Sequence, residues 1–157
     1  MSPNFERILF PTDFSDLAQE ALPYALELTR AFDAEFHCLH VVDDAYQYWS
    51  AMGPESVPVG PPPENLLDIA RERLERFREE HLSGLAKPAR VHVRLGRPFA
   101  EIIGCAREEE ISLIVMGTHG RGAIAHMLLG STTEKVVRKA PCAVMTVRAA
   151  GRSFEMP

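Results

Sequence analysis

Leu113-Ile114-Val115-Met116-Gly117-Thr118-His119-Gly120-Arg121-Gly122 opens with four consecutive apolar residues and then breaks into glycines. A short apolar run without alternation, closed by turn residues, reads as a strand buried on both faces, the kind found inside a parallel sheet. The glycines continue as far as Gly130, which is followed by Ser131, Thr132 and Thr133, so that four of the ten glycines fall between 117 and 130. Glycine lets a backbone approach a ligand with no Cβ in the way, and hydroxyls with free N–H groups at a helix start suit phosphate oxygens. A turn followed by a cap would be the plainer use of the same residues. The loop has neither the Gly-Lys-Ser/Thr of a Walker loop nor the Gly-x-Gly-x-x-Gly order of dinucleotide folds.

Outward from this strand the apolar period alternates between strand and helix. Ile8-Leu9-Phe10 is a short continuous run closed by Pro11-Thr12-Asp13. From Ser15, a suitable N-cap, Leu17, Ala21, Ala25 and Leu28 recur at helical spacing through about Phe32, with a bend predicted at Pro23. Phe36 to Val42 is a second strand closed by Asp43-Asp44, and a Pro-rich irregular connection runs over about 43–63. Leu66, Leu67, Ala70, Leu74 and Phe77 mark a second helix with a charged outer side. Val91 to Leu95 alternates strictly, which predicts a strand near an edge with His92 and Arg94 on its polar face. Pro98 opens a helix carrying Phe99, Ile102, Ile103 and Ala106. The last helix starts near Ser131 and is stopped by Pro141, before a final strand from Ala143 to Val147.

Strands separated by helices predict an α/β fold: a doubly wound, five-stranded parallel sheet of order 3-2-1-4-5 with helices on both faces. Ligands in such sheets bind at the carboxyl ends of the strands, where neighbouring connections leave in opposite directions. Pro11-Thr12-Asp13 and the loop after Met116 are therefore the segments expected to form a site.

A chain of 157 residues suits one domain spanning 1–157. Hydrophobic residues make up 46% and charged residues 25%, and no apolar run approaches the ~18 residues a membrane helix needs. The net charge of −5 argues against nucleic acid or an anionic membrane as a partner. Cys38, Cys105 and Cys142 lie far apart with no zinc-knuckle or redox spacing, so buried apolar behaviour is the expectation for each. With no basic start and no apolar leader at the N-terminus, the chain is expected to be cytoplasmic.

Gly117, Gly120, Gly130 and Ser131 fit the pattern Gly-x2-Gly-x9-Gly-Ser/Thr without a gap. Together with Ile8-Leu9-Phe10-Pro11-Thr12-Asp13-Phe14-Ser15, Leu39-His40-Val41-Val42 and Val115 to Gly122, this pattern resembles the ATP-binding branch of the universal stress protein family over roughly Phe5 to Arg148. The resemblance implies adenine near Asp13 and the backbone of Val41, and ribose near Gly117 with Pro11 and Thr12 alongside. It implies phosphates on Gly120, Gly130, Ser131 and Thr132, with Met116, His119 and Arg121 in the same loop region and Mg2+ or another divalent ion held by the phosphates. A homodimer through the last strand, 143–147, is also implied. Phe14 stands where many members have glycine, and Ala143 where proline is common.

Residue by residue, Asp13 is either a ligand group at the switch point or a loop carboxylate capping the first helix. His119 has no carboxylate nearby in sequence to orient it as an acid or base, which favours a contact or packing role. Arg121 can answer phosphate charge or extend into solvent. His37, His40 and His92 show no ligand spacing and are expected to be structural. No catalytic residue and no metal ligand is singled out.

Three functions compete: a nucleotide-dependent regulatory or stress-response module, a slow ATP hydrolase or phosphoryl- or adenylyl-transferring enzyme, and an interaction protein working through its Pro-rich loop. The second needs a base and charge neutralisation at the transferred phosphate, and no convincing base is visible.

Overall fold

Ile8, Leu9 and Phe10 are each fully buried, and that places their strand at the centre of the sheet. In the computed structural model, which describes residues 2–43, 63–119 and 129–149, five parallel strands form one sheet in the order β3-β2-β1-β4-β5. They are β1 Arg7–Pro11, β2 Glu35–Asp43, β3 Arg90–Gly96, β4 Leu113–Gly117 and β5 Ala143–Val147. The helices are α1 Asp16–Gln19, α2 Leu22–Phe32, α3 Pro63–His81, α4 Pro98–Glu108 and α5 Ser131–Lys139. The expected fold class, strand order and central pairing of β1 with β4 are all found, the last through Ile8 opposite Leu113 and Leu9 opposite Ile114.

Side-chain alternation along the strands divides the core in two. Ile8, Phe10, Phe36, Cys38 and Val115 meet Ala25 of α2 and Leu74 and Phe77 of α3 on one face. Leu9, Leu39, Ile114 and Met116 meet Ile102, Cys105 and Ala106 of α4 and Val136 of α5 on the other. The helices before β3 thus cover one face and those after it cover the other. β1 and β4, side by side, send their chains to opposite faces, and this is the switch point where a crevice opens.

The first predicted helix is two helices. Ser15 caps α1 as expected, its side chain accepting from the Ala18 N–H. A continuous helix would need the residue at 23 to donate to the Gln19 carbonyl, and proline has no N–H to give. The chain instead ends α1 at Gln19 and restarts as α2 with Pro23 in its first turn, a position where proline is tolerated. β3 is an edge strand as predicted, but its polar face is covered by α4. Arg94 pairs there with Glu108 at 2.5 Å and Glu101 at 3.6 Å. Most of the Pro-rich connection, and Gly120, Arg121 and Gly122, lie outside the described residues. No helix among the described residues is long and apolar enough to cross a membrane.

Candidate functional site

Pro11, Thr12 and Asp13 leave β1 in a tight bend held both to β2 and by local hydrogen bonds. The buried Thr12 is fixed by its N–H donating to the Leu39 carbonyl at 2.8 Å and by its carbonyl accepting from His40 Nδ1 at 2.8 Å. A carbonyl can only accept, so Nδ1 of His40 carries the proton. His40 is structural, as expected, and what it holds is the first bend of the site. The Thr12 hydroxyl accepts from the Phe14 N–H at 3.0 Å, and Asp13 Oδ1 accepts from the Ser15 N–H at 2.9 Å. Asp13 therefore shapes the bend while Ser15 does the capping.

Phe14 has a φ of 62°, left-handed backbone that costs an ordinary residue roughly 1–2 kcal/mol and glycine almost nothing. Its ring is held by His40 at 4.5 Å, by Phe77 at 6.0 Å and by the Arg73 guanidinium 4.2 Å above its face. These contacts, of the kind worth roughly 0.5–2 kcal/mol each, account for an aromatic residue at a conformation that favours glycine.

On the β4 side, Gly117 ends the strand against α1. A Cβ on Gly117 would lie 2.8 Å from the Leu17 carbonyl oxygen and 3.3 Å from that of His119, distances that exclude any side chain without backbone movement. Leu17, whose backbone makes this constriction, stands in the sequence only as an apolar helix position; its link to the site is the glycine it faces. Thr118 donates its N–H to the Val147 carbonyl at 3.0 Å, and the buried Thr133 hydroxyl donates to the Gly117 carbonyl at 3.0 Å. The second bond clamps the first turn of α5 to the end of β4. It also turns Thr133 inward, leaving Ser131 exposed and Thr132 half-buried at the helix start.

Gly130 is the N-cap of α5, with φ −64° and no side-chain capping bond. Its N–H donates to the Thr118 carbonyl at 2.7 Å and its carbonyl accepts from the Glu134 N–H at 2.9 Å, which turns the helix start toward the end of β4. The first N–H groups of α5 have no acceptor within the helix and sit at the positive end of its dipole. His119 is buried, with Nδ1 3.2 Å from the Thr118 hydroxyl.

Pro11, Thr12, Asp13, Gly117, His119, Gly130, Ser131 and Thr132 are thus gathered at the carboxyl ends of β1 and β4. Val41 is in the second half of β2, one strand over. Met116 is different, because its side chain is buried in the core beneath α4 and α5 and only its backbone is near the loop. Gly120 and Arg121 lie outside the described residues. The gathered set offers hydrogen-bond donors, hydroxyls and one carboxylate around a backbone without side chains, a combination suited to a polar, anionic ligand.

The sequence matches the universal stress protein family over residues 4–148. A universal stress protein of Methanocaldococcus jannaschii is 33% identical over 92% of this chain and 82% of its own length. One from Methanothermobacter thermautotrophicus is 35% identical over 92% of this chain and 96% of its own. The solved structure of a second M. jannaschii universal stress protein, MJ0577, superposes with a TM-score of 0.78 at 28% identity, covering 94% of this chain and 98% of that one.

Proposed function

The chain belongs to the universal stress protein family, and from that premise we propose that it is a single nucleotide-binding domain that takes ATP at the carboxyl ends of β1, β2 and β4. Adenine is assigned to Asp13 and the Val41 backbone, and ribose to the Gly117 bend with Pro11 and Thr12. The phosphates are assigned to Gly130, Ser131 and Thr132, with Gly120, His119 and Arg121 completing the loop. Met116 contributes through its backbone.

The observation that carries this reading is Gly130. Its φ of −64° is open to any residue, and a Cβ there would meet nothing closer than 3.4 Å, an ordinary contact. The chain's own packing does not demand glycine at 130, whereas it does at 117. A bare backbone at the N-cap of a helix, beside two hydroxyl residues, is what close approach of a phosphate requires. Hydroxyl oxygens are hard donors, so Ser131 and Thr132 would suit a magnesium ion held by the phosphates, which would neutralise phosphate charge.

A solved universal stress protein with a TM-score of 0.60 and 20% identity to this chain is a complex with cAMP. That ligand belongs to that protein, but it makes cAMP a necessary competitor in any test. In this reading nucleotide occupancy stabilises the folded domain and so regulates the surface it presents. Calorimetric titration with ATP, adenosine and cAMP checks it: one ATP should bind per chain, more tightly than adenosine. No saturable ATP binding by the folded protein would remove the reading.

A further inference from the structure

Away from the switch point, the fold brings together three residues that have no part in nucleotide binding: His37 of β2, His92 of β3 and Glu109 just past the end of α4. One ring nitrogen of each histidine and a Glu109 carboxylate oxygen lie within 4.8 Å of one another. Leu39 pairs with His92 and His37 with Arg90, so the two histidines are diagonal neighbours on the face that α4 covers. His37 is 1% exposed. Its Nδ1 is 3.0 Å from His92 Nε2, and the ring planes are 8° apart. Its other nitrogen, Nε2, is buried 3.6 Å from Glu35 Oε2, with no partner at hydrogen-bond geometry among the described residues.

We propose that His37 Nδ1, His92 Nε2 and a Glu109 carboxylate oxygen bind one zinc-class divalent transition-metal ion, with water in the fourth position. Two imidazoles and a carboxylate make a donor set that zinc takes in three-ligand sites, and imidazole favours such metals over magnesium or calcium. Two nitrogens bound tetrahedrally to zinc at ~2.0–2.1 Å are about 3.3 Å apart, so the nitrogens need to part by only a few tenths of an ångström while the rings turn from facing each other to facing the ion. Glu109 closes its larger gap by rotating a half-exposed side chain at a helix end. Glu35 completes the arrangement from outside, since a ligating histidine ordinarily directs its second N–H at a carboxylate or carbonyl.

The local charges are compatible with a cation. Burial is the largest influence on both imidazoles and holds their pKa values below the usual histidine range, and Glu109 acts on both in the opposite sense. Neutral imidazole is the ligating form. The neighbouring cations are countered, Arg90 by Glu35 at 3.9 Å and Arg94 by Glu108 and Glu101.

The test is calorimetric titration of chelator-stripped, nucleotide-free protein with ZnCl2, repeated with MgCl2. One zinc per chain should bind, and magnesium should not compete. Loss of an outer partner alone costs about 10–100-fold in metal affinity, so His92→Gln and Glu109→Gln should each cost at least tenfold. Cys142→Ser should leave the affinity unchanged. Glu109→Gln alters a half-exposed side chain at a helix end, so it remains informative if His92→Gln fails to fold. Absence of saturable zinc binding, or equal affinity in wild type and Glu109→Gln, would overturn the proposal.

Discussion

An alanine methyl at Gly117 would stand 2.8 Å from the Leu17 carbonyl oxygen, and one at Gly130 would meet nothing closer than the Thr118 carbonyl oxygen at 3.4 Å. Gly117→Ala should therefore lose stability as an overpacked core does, by about 1–3 kcal/mol. Gly130→Ala should cost about 1 kcal/mol or less, the difference between glycine and alanine at an N-cap, yet weaken ATP binding. Thermal melts and titrations of the two variants separate folding from ligand approach, and a Gly130→Ala protein that binds ATP like wild type would contradict the phosphate assignment. Ser131→Ala removes an exposed hydroxyl from the same helix start. It should weaken ATP more than adenosine, which has no phosphate to lose; equal losses would show that Ser131 acts through the fold. Phe14 gives a third contrast. Phe14→Ala keeps the left-handed backbone and loses the ring contacts, whereas Phe14→Gly loses the contacts and relieves the backbone, so the alanine variant should be less stable by about 1 kcal/mol. Of these residues Gly130 and Ser131 were legible from their spacing. The strain at Phe14 was not, because a φ angle depends on the bend that Thr12 and Asp13 impose.

β5 is paired with β4 on one side only among the described residues. The resemblance to the family points to a second copy on its open side, and the strand itself qualifies which residues can test that. Val147 is buried in the chain's own core, so a lysine there would damage the fold before it reached any partner. The Val147 carbonyl accepts from Thr118 on the β4 side, and alternation along the strand turns the backbone groups of Thr146 to the open edge. Thr146→Pro removes an outward N–H at a position where an edge strand tolerates proline. We expect that variant to be monomeric by light scattering if β5 pairs with its twin, while an unchanged dimer would put the interface elsewhere. Among the helices, periodicity located α3 and α4 well because each buries one clear stripe, whereas α5 was marked by Ser131 and Pro141: Val136 is buried as its spacing predicts, but Val137, also expected inward, is exposed. Periodicity failed at Glu20 and Ala21, where the apolar spacing continues through a break that the missing N–H of Pro23 enforces.

A ligand that binds only the folded chain must stabilise the whole molecule, by about 2.7 kcal/mol at one hundred times its dissociation constant. ATP should therefore raise the melting temperature in proportion to the logarithm of its concentration. Nucleotide that co-purifies with the protein should be intact triphosphate; ADP as the main species would favour the hydrolase reading instead. The thiols report on the same folded state. Burial pushes the Cys38 thiol far above its ordinary range and that of Cys105 up to about 11, so alkylation of the native protein should reach half-buried Cys142 first. The order of strands and helices, the central place of β1 and β4 and the place of Gly117 and Gly130 at the switch point were determined by the sequence itself, because apolar period, proline position and glycine spacing are local properties. What only the tertiary structure decided is which distant residues meet. Leu17 sets the need for glycine at 117, and Glu101 and Glu108 cover the polar face of β3. His37, His92 and Glu109 converge although their spacing carries no ligand signal, because register between β2 and β3 and the docking of α4 are long-range packing outcomes that one-dimensional periodicity does not encode.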